Sequence, residues 1–215
     1  MLVLAFDTAT PAVTAALHDG SSPLAERTTV DARRHGELLA PAIEAVLAAS
    51  GAALSDVTAI VAGAGPGPYT GLRVGLMTAQ ALSSVTGAPA YGICTLDALA
   101  YATKRTGPFL VATDARRKEV FWAAYQDFRT RSTDPAVDLP GVLPGELPVV
   151  GAGGRLYAEM IGPERVAEPE FPTAGALAAL AVERMAAGLP LDPARPIYLR
   201  RPDARIPGPA KKVTA

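Results

Sequence analysis

The chain holds one cysteine, Cys94, two histidines, His18 and His35, and one tryptophan among 215 residues. A lone cysteine excludes an intramolecular disulfide and fits a reducing compartment. Neither histidine has a partner at H-x-x-x-H or H-E-x-x-H spacing, so the ligands of a zinc hydrolase are missing. No G-x-S-x-G elbow occurs, which removes the commonest serine-hydrolase pattern. The formal charge of −1 shows none of the basic excess that marks broad nucleic-acid capture. No apolar run is long enough to span a membrane, and Met1 to Asp7 lacks the basic flank and length of a signal peptide. The chain therefore reads as soluble and cytoplasmic. His18 precedes Asp-Gly and is expected on a surface turn. His35, following Arg33-Arg34 at a helix start, is expected to be solvated or at an interface, and Cys94 to be a small core residue.

What is present is apolar matter: 49% hydrophobic and 19% charged residues predict a sizeable core, in one large domain or two small ones sharing a long interface. Leu2 to Phe6, Val13 to Leu17 and Leu24 to Val30 read as strands joined by turns. A helix comes next, around Leu39, Ile43 and Val46, with Gly51 as its stop. Pro41 is expected to bend it or to confine its regular part to the residues after the proline. Val57 to Ala62 and Ala90 to Cys94 read as strands around a helix that ends near Thr86, and Leu96 to Thr103 as a short helix. After a boundary at Lys104 to Pro108, Phe109 to Thr113 and Glu119 to Tyr125 form a second hairpin. Arg129 to Pro148 reads as a surface loop, Val149 to Gly154 as a strand entering a glycine turn, and Ala174 to Ala187 as a helix. The layout is α/β, with two related lobes at 1–105 and 106–215, the last helix and tail crossing back to the first. The basic tail, Arg195 to Lys212, is either a solvated terminus or an RNA or partner contact.

The segment Gly63 to Gly75 carries most information. A glycine-rich turn between strand and helix can aim backbone N–H groups at an anion, with Thr70 as helix cap and Arg73 one turn in. However, Gly71 is followed by Leu72 rather than the lysine of a Walker loop, and Pro66 and Pro68 remove two donors. A rigid packing turn is the better reading. Gly71, Gly75, Ala79, Ser83 and Gly87 then recur every four residues as a ridge of small side chains. Such a ridge admits another element closely, either within the chain or from another subunit. Asp7 and Asp114 each end an apolar strand, as do the phosphate- and magnesium-organising aspartates of actin-type ATPases. Each also serves simply as a turn cap. Gly153-Gly154 could mimic an adenosine-binding turn.

Asp7-Thr-Ala-Thr10, Arg34-His-Gly-Glu-Leu-Leu-Ala-Pro41, Gly65-Pro-Gly-Pro-Tyr-Thr-Gly-Leu-Arg-Val-Gly75, Asp114-Ala-Arg116 and Pro196-Ile-Tyr-Leu-Arg200 occur in this order. Together they resemble the TsaB (YeaZ) family over nearly the whole chain. The third segment is close to the family's G-P-G-S-F-T-G-x-R-x-G, with Pro68 and Tyr69 where serine and phenylalanine are usual. The resemblance implies an actin-like (ASKHA, ribonuclease H-like) fold and a part in placing threonylcarbamoyl on the anticodon-adjacent adenosine of tRNA. It implies a non-catalytic subunit beside TsaD, the paralogue that carries an H-x-x-x-H metal site; Gly92 to Leu99 here has no histidine. It also implies dimerisation through the first two helices, with TsaD or with a second copy when alone. That places His35, Leu38, Leu39, Ile43, Thr70, Gly71, Leu72, Gly75, Ala79 and Ser83 at the interface. Further implied partners are the ATPase TsaE and, through the complex, tRNA, with ATP at the level of the complex and no cofactor or metal held by this chain. A vestigial nucleotide site would comprise Asp7, Gly65, Gly67, Arg73, Asp114, Gly153 and Gly154. The competing readings are an autonomous ATPase or small-molecule kinase built on Asp7 and Asp114, and an M22-type metallopeptidase.

Overall fold

The apolar N-terminal run forms a central strand, β1 (Val3–Asp7), in which every residue is buried because helices cover both faces. Its alternation sorts the core: Leu4 and Phe6 point into one apolar cluster, Val3 and Ala5 into another on the opposite face. In the computed structural model, which describes residues 1–200, β1 pairs antiparallel with β2 (Ala12–His18), and β2 with β3 (Pro23–Val30). Helix α1 (His35–Ser50) comes next, then β4 (Ala59–Gly63) parallel to β1, α2 (Tyr69–Thr86), β5 (Ala90–Ile93) parallel to β4, and α3 (Thr95–Thr103). The second sheet begins with the hairpin β6 (Phe109–Asp114) and β7 (Val120–Tyr125), extended at one edge by β8 (Ala136–Asp138). On its other side β9 (Val149–Val150) lies parallel to β6. The short helices α4 (Ala152–Leu156) and α5 (Ala158–Ile161) lead to β10 (Val166–Ala167), parallel to β9. Helix α6 (Ala174–Ala186) and β11 (Asp192–Pro193) then return to the first sheet. The sheet orders are β11-β5-β4-β1-β2-β3 and β10-β9-β6-β7-β8. Each sheet thus has an antiparallel hairpin whose first strand also takes a parallel neighbour.

Helices α1 and α2 cover one face of the first sheet through Leu39, Ile43, Val46, Leu72, Leu76 and Ala79. Helix α6 covers the other through Leu177, Ala178, Leu180 and Ala181. Among the described residues, no helix is long and apolar enough to cross a membrane.

Several local expectations need correction. Helix α1 extends on both sides of Pro41, so its regular part is not confined to the residues after the proline. An interior proline costs about 3 kcal/mol of helix propensity, but Leu39, Ile43 and Val46, buried around it, contribute roughly 1.5–3 kcal/mol each. His18 is buried, not on the surface: it closes β2, and its Nδ1 accepts a hydrogen bond from the Gly20 N–H. The 129–148 segment supplies an edge strand, β8, rather than only a loop. Val149 to Gly154 continues into α4 instead of a turn. Most of the basic tail, 201–215, lies outside the described residues.

Candidate functional site

The turn after β1 is tied to several distant segments. Asp7 Oδ1 accepts from the Ala9 N–H at 2.6 Å and Oδ2 from the Thr95 hydroxyl at 2.7 Å. The carboxyl is fully buried, and desolvation raises its pKa to about 6 against the lowering effect of these donors and of His35. Thr8 is the next tie: its hydroxyl donates to the Gly71 carbonyl at 2.7 Å and accepts from the Gly75 N–H at 2.9 Å. A Cβ on Gly71 would lie 2.5 Å from the Thr8 carbonyl oxygen, and one on Gly75 2.6 Å from the Thr8 hydroxyl. The small-residue ridge of α2 therefore faces inward. It lets the helix settle onto the β1 turn, and His35 adds to the joint by donating to the Thr10 carbonyl at 2.8 Å.

This packing redistributes the ten interface positions implied by the resemblance. Leu39, Ile43, Leu72 and Ala79 lie in the chain's own core, and Gly71 and Gly75 lie against Thr8. Leu38, Ser83 and His35 remain half-buried and Thr70 exposed. Thr70 does not cap α2: the helix begins at Tyr69 behind Pro68, with no side-chain cap. What α1 and α2 present outward is nearly uncharged. Across both helices, apart from the half-buried His35, only Glu37, Glu44 and Arg73 are acidic or basic, while Met77 is 61% and Val85 80% exposed.

The glycine loop before α2 uses its donors internally. The Gly65 N–H donates to Thr95 Oγ1 at 3.1 Å, and the Gly65 carbonyl accepts from the Thr95 N–H at 2.7 Å. Gly67 is pressed on the Ala9 carbonyl, where a Cβ would overlap it. Arg73 is engaged at the side of the loop, its guanidinium over the Tyr69 ring and its Nε donating to the Tyr198 hydroxyl at 3.2 Å. Gly153 and Gly154 are buried in α4, where Cβ atoms would come within 2.9 Å of the Ala112 and Val149 backbones.

A cleft of about 260 Å³ opens beside this turn, lined by Thr8 to Pro11, Ala32, Arg33, His35, Gly36 and the start of α2. Asp114 and Arg116 reach it from the second sheet. Asp114 accepts from the Arg116 N–H at 2.8 Å and pairs with the Arg116 guanidinium. Asp114 lines this cleft, whereas Asp7 lies behind Thr8 and is not among its lining residues. Among the described residues, no three His, Cys, Asp or Glu side chains are grouped to hold a metal. The sequence reading missed Thr8 and Thr95, whose hydroxyls join the loop, α2 and α3 to β1; the motif Asp7-Thr-Ala-Thr10 was the available signal.

A family model described as TsaD, tRNA N6-adenosine threonylcarbamoyltransferase, matches residues 24–160. The TsaB protein of Escherichia coli, a tRNA threonylcarbamoyladenosine biosynthesis protein, is 34% identical over 97% of this chain and 99% of its own length. Uncharacterised mycobacterial proteins are 46% identical; the chain spans 93% of the one from Mycobacterium tuberculosis H37Rv and 56% of the longer one from Mycobacterium leprae. Among solved structures, YeaZ from Pseudomonas aeruginosa superposes with a TM-score of 0.78 at 29% identity, over 92% of this chain and 99% of that one. The ethanolamine utilisation protein EutJ of Carboxydothermus hydrogenoformans, at TM-score 0.51 and 12% identity over 84% of this chain and 90% of its own, shares only the actin-like α/β fold. From the joined β1 turn, the glycine loop docked on it, and these full-length matches, the chain belongs to the TsaB family within the TsaD/TsaB superfamily.

Proposed function

We propose that this chain acts in tRNA threonylcarbamoyladenosine biosynthesis as a non-catalytic subunit that docks on a TsaD protein through the outer face of α1 and α2. Membership of the TsaB family supports the pathway. The observation that carries the docking face is its chemistry: two long adjacent helices with almost no charge outward and with Met77 and Val85 exposed. Depletion of charge around exposed apolar anchors distinguishes the centre of a protein interface from ordinary surface. The contact residues on this reading are Leu38, Pro41, Thr70, Val74, Met77 and Ala81 rather than the buried glycines. The two lobes, 1–105 and 106–215, serve as the scaffold that holds this face.

The test is Met77→Arg, a change at an exposed position that leaves the core untouched. The cognate TsaD should bind the variant at least about tenfold more weakly by sedimentation or calorimetry, with an unchanged melting temperature. Reconstituted threonylcarbamoylation of tRNA should fall with it. Unaltered affinity for TsaD would remove this face as the docking site. Modification of tRNA at full rate without the chain would remove the pathway role.

A further inference from the structure

Away from α1 and α2, a second cavity of about 540 Å³ lies where β5, the start of α3, the segment after β7, the end of α6 and the strand β11 meet. Its charged wall is built on Asp97, a buried carboxylate that receives three donors. Tyr125 Oη donates to Oδ1 at 2.9 Å, Arg131 Nη1 to Oδ1 at 2.9 Å, and Arg184 Nη2 to Oδ2 at 3.2 Å. One carboxylate thus faces two guanidinium groups, each only about 30% exposed. A third, Arg195, lines the same cavity and makes no hydrogen bond or ion pair with the described residues. The other acid on the lining, Asp192, is exposed. Cys94 on the wall stays a neutral thiol, its pKa pushed up to about 12, chiefly by burial.

We propose that this cavity binds a small tetrahedral oxyanion, a phosphate or the phosphate group of a monoester, between Arg131, Arg184 and Arg195. Three physical points carry it. The lining has three guanidinium groups against two carboxylates, and Arg195, exposed at the cavity's edge, has no counter-charge among the described residues, so an anion held there supplies one. Asp97 fixes one N–H of Arg131 and of Arg184, which leaves other N–H groups on each planar fork to donate into the cavity from a pre-set orientation. The three arginines come from three separate segments. That arrangement matches the several acceptor directions of a tetrahedral anion better than the single plane of a carboxylate, which one guanidinium fork satisfies.

The experiment is calorimetry on the purified full chain with sodium phosphate, sodium acetate and sodium chloride at matched ionic strength, repeated with Arg195→Gln. Phosphate should bind saturably and acetate and chloride should not, and Arg195→Gln should weaken phosphate binding about tenfold, as expected for loss of one charge-assisted donor. Because Arg195 has no partner among the described residues, the variant's melting temperature without phosphate should equal that of the parent. A phenyl phosphate arm separates free phosphate from a monoester: equal or tighter binding assigns the monoester. Absence of saturable phosphate binding, or equal affinity in Arg195→Gln, overturns the site. Neither result depends on binding to TsaD.

Discussion

Two turns occupy equivalent places in the two sheets, one after β1 and one after β6. Each strand runs beside a parallel neighbour and doubles back antiparallel, and each ends in an aspartate. The local chemistry is the same: Asp7 accepts the N–H of Ala9 and Asp114 the N–H of Arg116, both two residues on. Both turns border one cleft, but the burial of the two carboxyls differs. The first turn is sealed beneath α1, α2 and the start of α3, and its carboxyl titrates near 6. In the second, Asp114 is half-buried and Ala115 buried, but the tip that follows is exposed, with Arg116, Arg117 and Lys118 at φ of 62°, 58° and 63°. Left-handed backbone in three successive non-glycine residues costs roughly 1 kcal/mol or more each. One local motif therefore serves as a buried joint in one half and as a strained, charged tip in the other. The elements packed above it decide which.

The largest expected effect comes from forcing the first turn open. Gly71→Val drives a β-branched side chain into the Thr8 carbonyl and the His35 ring and should destabilise the chain by about 4 kcal/mol, or prevent folding, in denaturant titration.

Next is the titration of Asp7. Its folded-state pKa, about 6, lies above the usual 3.8, so the native state keeps a proton that the unfolded chain has already lost. Between about pH 4 and 6 this group makes stability fall as pH rises. The penalty is absent below that window and constant above it, reaching up to roughly 3 kcal/mol. The carboxylates of Asp19, Asp31, Asp127 and Glu183 are shifted the other way, so the comparison is parent against Asp7→Asn, in which their contributions cancel. The variant should lose that downward trend. An identical pH profile would show that the first turn is as solvated as the second.

A smaller effect sharpens the other side. Lys118→Gly relieves one left-handed residue and should stabilise the chain by about 0.5–1 kcal/mol by thermal unfolding. No gain would mean that the tip carries no strain. Smallest is Cys94, at the start of α3: with its pKa pushed up to about 12 by burial, the native thiol should not react with a disulfide reagent at neutral pH, and should react fully after unfolding.

Much of this was legible in the chain. The apolar runs, the α2 pattern with Gly87 beyond it and the hairpin at Phe109 all stem from periodicity and turn residues, which act within a few positions. The Gly65-Pro-Gly-Pro-Tyr-Thr-Gly71 segment announced a rigid turn, because proline and glycine restrict the backbone wherever they fall. Less legible was the direction of the small-residue ridge. Four-residue spacing says that a face is flat but not what lies against it; here Thr8, more than sixty residues earlier, fills that face. The helical turn before Pro41 and the burial of His18 were missed for the same reason, since burial by distant elements outweighed local preferences.

By itself, the sequence determined the α/β order of elements, the turn at each strand-ending aspartate and membership of the TsaB family, since all are written in local pattern and motif. Only the tertiary structure decided that Gly71 and Gly75 belong to the fold rather than to a partner. It also decided that Asp7 is fully buried while Asp114 keeps partial exposure beside an exposed tip, and that Asp97, Arg131, Arg184 and Arg195 share one cavity. Those outcomes depend on which segments meet across long stretches of chain, and packing sets that only when the whole core assembles.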